Sequence, residues 1–180
     1  EKVGMKAQDT SELFFQDVRI SKEQLLGEEG MGFVYLMQDL PQERLSVAIN
    51  AIANARSILD QTIDYVKERK AFGKSVATFQ NTQFKLAEMD TDLTVAEAYM
   101  DRCLQLHVEE KFDSVAAAKC KLMSTDLQCK VIDECLQLHG GYGFMWEYPV
   151  ARAFADARVQ RIYAGTNEIM KLIIGRDLVK

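Results

Sequence analysis

The run CLQLHGGYGFMWEYPVARAFADARVQRIYAGTNEIM, residues 135–170, closes one long helical pattern at Gly140–Gly141 and turns at Pro149. It then opens a last helix after Ala164–Gly165–Thr166, and it holds the chain's one tryptophan, Trp146. Ordinary loops between helices do not need Gly140, Gly141, Gly143 and Gly165 within so short a span. Paired glycines let backbone approach a neighbour closely, and a helix start just after Gly165 leaves free N–H groups for a ligand. Chemistry is expected here.

Upstream of this run the helical period is strong. A helix from about Asn81 to Glu110 carries Phe84, Met89, Leu93, Ala96, Met100, Cys103 and Leu104 on one side. A second, with Ser114 as expected N-cap, runs to His139 and carries Ala118, Leu122, Leu127, Val131, Cys135 and Leu138. Gly140 or Gly141 is placed to cap its C-terminus. Earlier still, a short segment Phe33–Asp39 is expected to stop at Leu40–Pro41, with Pro41 in the first turn of a new helix. That helix has an apolar stripe of Leu45, Ile49, Ile52, Leu59, Ile63 and Val66. A second stripe, Glu43, Ser46, Asn50, Asn54, Ser57 and Gln61, is polar yet carries one charge only. It either lines a cleft or is a surface of low charge. Lys67–Lys74 reads as the end of that helix, with cations at the negative end of its dipole and Gly73 as a stop. A shorter helix follows Pro149, and the last begins at Thr166 with Glu168 in its first turn.

Residues 1–26 follow a different rule. Leu13, Phe14 and Phe15 followed by Asp17–Ile20 alternate as a strand does, and Gly27–Gly30 reads as a linker. One strand cannot close a sheet. The expectation is therefore an all-α fold, an up-down four-helix bundle over residues 30–180, preceded over residues 1–29 by a remnant of a β domain whose remainder lies upstream.

The totals agree. The chain has 180 residues, two prolines, 48% hydrophobic and 27% charged residues, enough for one fair-sized core. A formal charge of −5 with no long basic block argues against a nucleic-acid surface, and no apolar run reaches membrane-spanning length. Cys103, Cys120, Cys129 and Cys135 form no C-x-x-C pair and are expected as small buried thiols. Neither His107 nor His139 has a partner at ligand spacing, so no metal site is expected.

Five segments carry a resemblance to a known family: 4–32, GMKAQDTSELFFQDVRISKEQLLGEEGMG; 68–74, ERKAFGK; 137–144, QLHGGYGF; 147–152, EYPVAR; and 162–171, IYAGTNEIMK. In this order and spacing they resemble the C-terminal part of the acyl-CoA dehydrogenases, most of all the long-chain members. The resemblance implies removal of hydrogens from Cα and Cβ of an acyl-CoA thioester, a carboxylate taking the α-proton and FAD the β-hydride. Such a base needs a pKa raised by burial, and the thioester oxygen needs hydrogen-bond donors. Most members carry the glutamate base directly before the Gly-Thr of the last turn, where this chain has Ala164. Long-chain and isovaleryl types carry it in an E-R pair on the first bundle helix, here Glu43–Arg44. Glu43 is thus the expected base and the Ala164 N–H the donor to the thioester oxygen.

The resemblance also makes Gln42, Arg44, Ala164 and Gly165 substrate neighbours, with Tyr35 or Val34 expected to line the acyl channel. Arg69, Gln80 and the segment Gln137, Leu138, His139, Gly140 and Gly141 are implied contacts to the FAD of a neighbouring subunit. Thr166, Asn167 and Glu168 are implied contacts to the subunit's own FAD. Implied partners are an electron-transfer flavoprotein and further copies of the chain, as dimer or tetramer, in a mitochondrial matrix or bacterial cytoplasm. Since the upstream part holds most flavin and CoA contacts in the family, residues 1–180 alone are expected to bind FAD poorly. Two other readings stand beside this one: an acyl-CoA oxidase using oxygen, and a catalytically silent helical assembly module.

Overall fold

The computed structural model describes all 180 residues, and past residue 31 nearly everything is helix. Five helices follow in order: α1 (Gly32–Glu68), α2 (Gln80–Val108), α3 (Ser114–His139), α4 (Pro149–Ala157) and α5 (Asn167–Leu178). α3 packs against all four others, most extensively along α1, so the long helices α1, α2 and α3 with the 12-residue α5 make the expected bundle. The core is the meeting of their apolar stripes: Leu45, Ile52 and Leu59 of α1, Met89, Leu93 and Met100 of α2, and Val131, Ile132 and Cys135 of α3. α4 closes it with Val150, Ala153 and Ala157. The four cysteines are free thiols, three of them fully buried. Ile49, Phe84 and Leu104, expected on inward stripes, lie at their edges and stay exposed.

Several expectations are corrected. α1 does not stop at Leu40–Pro41 but runs through Pro41. Pro41 has no N–H for the carbonyl of Met37 four residues back, and Met37 is exposed, so water can take that acceptor. The N-cap of α3 is Asp113, not Ser114. Its carboxylate accepts from the N–H groups of Val115 (2.9 Å) and Ala116 (2.7 Å), two of the orphan donors of a helix start. Residues 13–20 form no strand and are exposed, because a ladder needs a partner strand to exchange hydrogen bonds with and none lies alongside. The chain's first residues instead touch α4, where the N–H of Met5 donates to the Asp156 carboxylate.

The one sheet lies where a helix end was expected. α1 ends at Glu68, and β1 (Lys70–Ala71) pairs antiparallel with β2 (Lys74–Ser75). The two loop residues, Phe72 (φ 51°) and Gly73 (φ 80°), are both left-handed, as the tightest hairpin requires. Gly73 is a turn residue rather than a helix stop. Folding back, the Ser75 hydroxyl lies 2.9 Å from the carbonyls of both Val66 and Lys67, capping α1 and presenting Arg69 at its end.

Candidate active site

Two places 120 residues apart in the chain meet at the turn before α5. Arg44, on α1, is only 6% exposed, and its Nε donates to the carbonyl of Ala164 at 3.1 Å. Burial draws its guanidinium pKa down, while the carboxylate of neighbouring Glu43 works the other way. Ala164 (φ 52°) and Gly165 (φ 93°) are both left-handed. Gly165 is needed chiefly for its positive φ, which a side chain would strain, and a Cβ there would also press on the flexible end of Met170 at 2.9 Å. Thr166 then caps α5, its hydroxyl accepting from the Ile169 N–H at 3.4 Å.

Gln42 and Glu43 precede Arg44 on α1 and are both exposed. The bundle alone therefore does not supply the apolar cover that α-proton abstraction asks of a carboxylate. Tyr35 is tied to the linker, its hydroxyl accepting from the Glu28 N–H at 3.0 Å, while Val34 is open to solvent. The Asn167 side chain is spent inside the protein. Its carboxamide nitrogen donates to Asp126 (3.0 Å) and Thr125 (3.1 Å), and its oxygen accepts from Lys121 (2.8 Å). Only its backbone, on the first turn of α5, is left to face a ligand. Glu168 is exposed there, its carboxyl held below the usual range by its own N–H and by Thr166.

The second group of expected residues gathers in one groove of about 540 Å³ at the C-terminal end of α3. Arg69, Gln137, Leu138, His139, Gly140 and Gly141 all line it. Gln80, exposed at the start of α2, is not among its lining residues. Gly140 is left-handed (φ 59°), and a Cβ on Gly140 or Gly141 would meet nothing within 4 Å, so the backbone is open from outside. The Arg69 guanidinium lies 5.2 Å above the Tyr142 ring. A cation, an aromatic floor and bare backbone suit a planar, phosphate-bearing group such as FAD.

His139 is the last residue of α3. It is buried, stacked on Tyr65 with centroids 4.1 Å apart, and its Nδ1 lies 2.8 Å from the Cys135 carbonyl. Burial lowers its pKa. A lowered folded value means that the unfolded chain takes the proton first as pH falls, so stability is lost below about 6.5, the ordinary imidazole value. Thermal melts of the full-length protein between pH 7 and pH 5 should therefore show a steeper loss than those of His139→Phe. Parallel curves would refute the linkage.

Sequence reasoning missed the polar layer that holds these parts. Gln160 donates to Asn50 (3.0 Å) and Gln128 to Asn54 (3.0 Å), so the low-charge stripe of α1 is in part an interhelical seam. Tyr65 donates to the His139 carbonyl at 3.1 Å and so steadies the glycine platform. Lys121 was missed too. It keeps the register of buried Ala117, Ser124 and Gln128 on α3, and that register was the available clue.

Comparison with known proteins fits this geometry. The family model "Acyl-CoA dehydrogenase, C-terminal domain" matches residues 30–179. This chain belongs to the acyl-CoA dehydrogenase family. It is 56% identical over 178 residues to the long-chain specific acyl-CoA dehydrogenase, mitochondrial, of Sus scrofa, covering 99% of this chain and 41% of that relative. The crystal structure of acyl-CoA dehydrogenase from Geobacillus kaustophilus superposes with a TM-score of 0.95 at 50% identity, covering 99% of this chain and 47% of that one. An acyl-CoA dehydrogenase of Bacillus anthracis complexed with FAD superposes with a TM-score of 0.93 at 29% identity, covering 99% and 34%. The chain thus spans less than half the length of these acyl-CoA dehydrogenases, and none of its helices is long and apolar enough to cross a membrane.

Proposed function

We propose that this chain is the helical part of an FAD-dependent dehydrogenase that introduces the α,β double bond into long acyl-CoA thioesters. One observation carries the reading. The Arg44–Ala164 hydrogen bond supports it, because it joins the neighbour of Glu43 on α1 to the turn where most of the family keeps its base. In this reading α1 supplies the carboxyl group that Ala164 lacks. The high identity to a long-chain specific relative supports the substrate class.

Glu43 takes the α-proton, and the Ala164 N–H meets the charge that grows on the thioester oxygen. Gln42, Arg44 and Gly165 wall the thioester. FAD, when bound, supplies the acceptor for the β-hydride. Arg69, Gln80 and the Gln137–Gly141 backbone hold the cofactor of a neighbouring subunit, and Thr166, Asn167 and Glu168 hold the subunit's own. Such sharing makes the enzyme a dimer or tetramer. Electrons leave to an electron-transfer flavoprotein, in a mitochondrial matrix or bacterial cytoplasm. Residues 1–29 are the end of a β domain, and the apolar cover that would strengthen the basicity of exposed Glu43 has to come from outside residues 1–180.

Anaerobic titration of the full-length protein with acyl-CoA thioesters of increasing chain length tests this. The yellow flavin is expected to bleach, fastest with long chains, and to recover with electron-transfer flavoprotein. Residues 1–180 alone should purify colourless. Absence of bleaching with every thioester overturns the dehydrogenase reading, and rapid recovery with oxygen, forming hydrogen peroxide, makes the protein an oxidase.

A further inference from the structure

Lys121 is the largest side chain in the protein that is wholly sealed from solvent, at 0% exposure. A lysine is almost never buried so completely without a specific set of partners. Here the ammonium donates to the Gly165 carbonyl at 2.9 Å and to the Asn167 carboxamide oxygen at 2.8 Å. The same Asn167 is fixed by Thr125 and by Asp126, and Asp126 is itself paired with Arg161 at 2.7 Å. Core helices do not need an arrangement of this kind, since an apolar residue of similar volume would fill the space at lower desolvation cost. What the arrangement does is hold two successive bends of backbone. Arg44 grips the carbonyl of Ala164 from α1, and Lys121 grips the next carbonyl, that of Gly165, from α3.

We propose that Lys121 is the positioning residue of the substrate turn, its sealed ammonium fixing Gly165 and Asn167 so that the left-handed Ala164 presents its N–H in one direction. This rests on the reading of that turn as the thioester site. The lysine touches neither substrate nor cofactor. It acts through backbone, and a displacement of the order of an ångström at an aligned donor is enough to cost about 100-fold in rate. Its surroundings are mixed in sign. Asp126 on α3 and Glu168 on α5 favour the charged form, Arg44 on α1 and Arg161 before α5 oppose it, and burial outweighs them all, bringing the group to about 8. Loss of the proton leaves two N–H groups and a weaker grip on both oxygens.

Full-length Lys121→Met and Lys121→Gln test the proposal, with flavin content, assembly, kcat, KM and the bleaching rate between pH 6 and pH 9 as readouts. Lys121→Met should retain flavin and assembly while kcat falls by about 100-fold and KM moves by less than about threefold, the pattern of a contact that matters in the transition state. Lys121→Gln, with one donor arm, should recover part of that loss. The wild-type rate should decline above about pH 8, and both variants should lack that limb. Variants with wild-type kcat and an unchanged pH profile overturn the proposal alone, as does a fall in kcat only in proportion to lost flavin. If Lys121→Met does not fold, Lys121→Gln and the wild-type profile decide, and a flat profile across pH 8 counts against it. A wild-type protein whose flavin no acyl-CoA bleaches overturns the underlying dehydrogenase reading instead.

Discussion

Glu43→Gln in the full-length protein is expected to slow bleaching of the flavin by acyl-CoA by between about 100-fold and about 10,000-fold, with flavin content and assembly unchanged. Glutamine matches the size of glutamate but cannot accept the α-proton. Because Glu43 is exposed in the bundle and makes no buried hydrogen bond, its loss should scarcely touch folding. Stopped-flow absorbance under anaerobic conditions, with equal flavin loading, separates a missing base from a damaged protein. Bleaching within about threefold of wild type would remove Glu43 from the mechanism and leave the proposed chemistry without a base.

A second substitution should restore much of what the first removes. In the Glu43→Gln background, Ala164→Glu is expected to recover the bleaching rate by about tenfold or more. Position 164 is already left-handed without being glycine, so glutamate there meets no backbone strain that alanine does not already bear. Arg44, next to Glu43 on α1, is bonded directly to Ala164, and on the proposed reading carboxyl groups at 43 and 164 serve the same carbon. Recovery would show that one reacting carbon is served from two points of the chain. If Ala164→Glu alone works normally but rescues nothing in the double variant, the two positions do not serve the same carbon.

The bundle was legible because its long helices carry regular apolar stripes: Leu45, Ile52 and Leu59 on α1, and Met89, Leu93 and Met100 on α2, lie where a period of 3.6 puts them. Local rules failed where tertiary contacts outweigh them. Pro41 is tolerated inside α1 because its orphaned acceptor reaches water. The Phe72–Gly73 hairpin was hidden behind what looked like a helix stop, since a glycine in the left-handed region suits both. The strand expected over residues 13–20 is the converse case, a correct local pattern with nothing to pair with.

At the site, spacing alone brought attention to the glycines and to the turn before α5. It could not join Arg44 to Ala164, because that contact spans 120 residues and no local period encodes it. The resemblance supplied the pairing, and the fold gives it a physical link. Lys121 lay beyond both, because a lysine two residues from Lys119 reads as a solvated residue until its helical register is compared with the core.

The cysteines give the molecule a built-in clock. Cys103, Cys120 and Cys135 have no accessible surface, so an alkylating reagent has no path to them, and burial lifts the Cys120 and Cys135 thiols, the latter to about 11, leaving little thiolate at those two. Their modification must wait for the helices to part. The pace of labelling at these three positions, as distinct from partly exposed Cys129, therefore measures how often the interior opens.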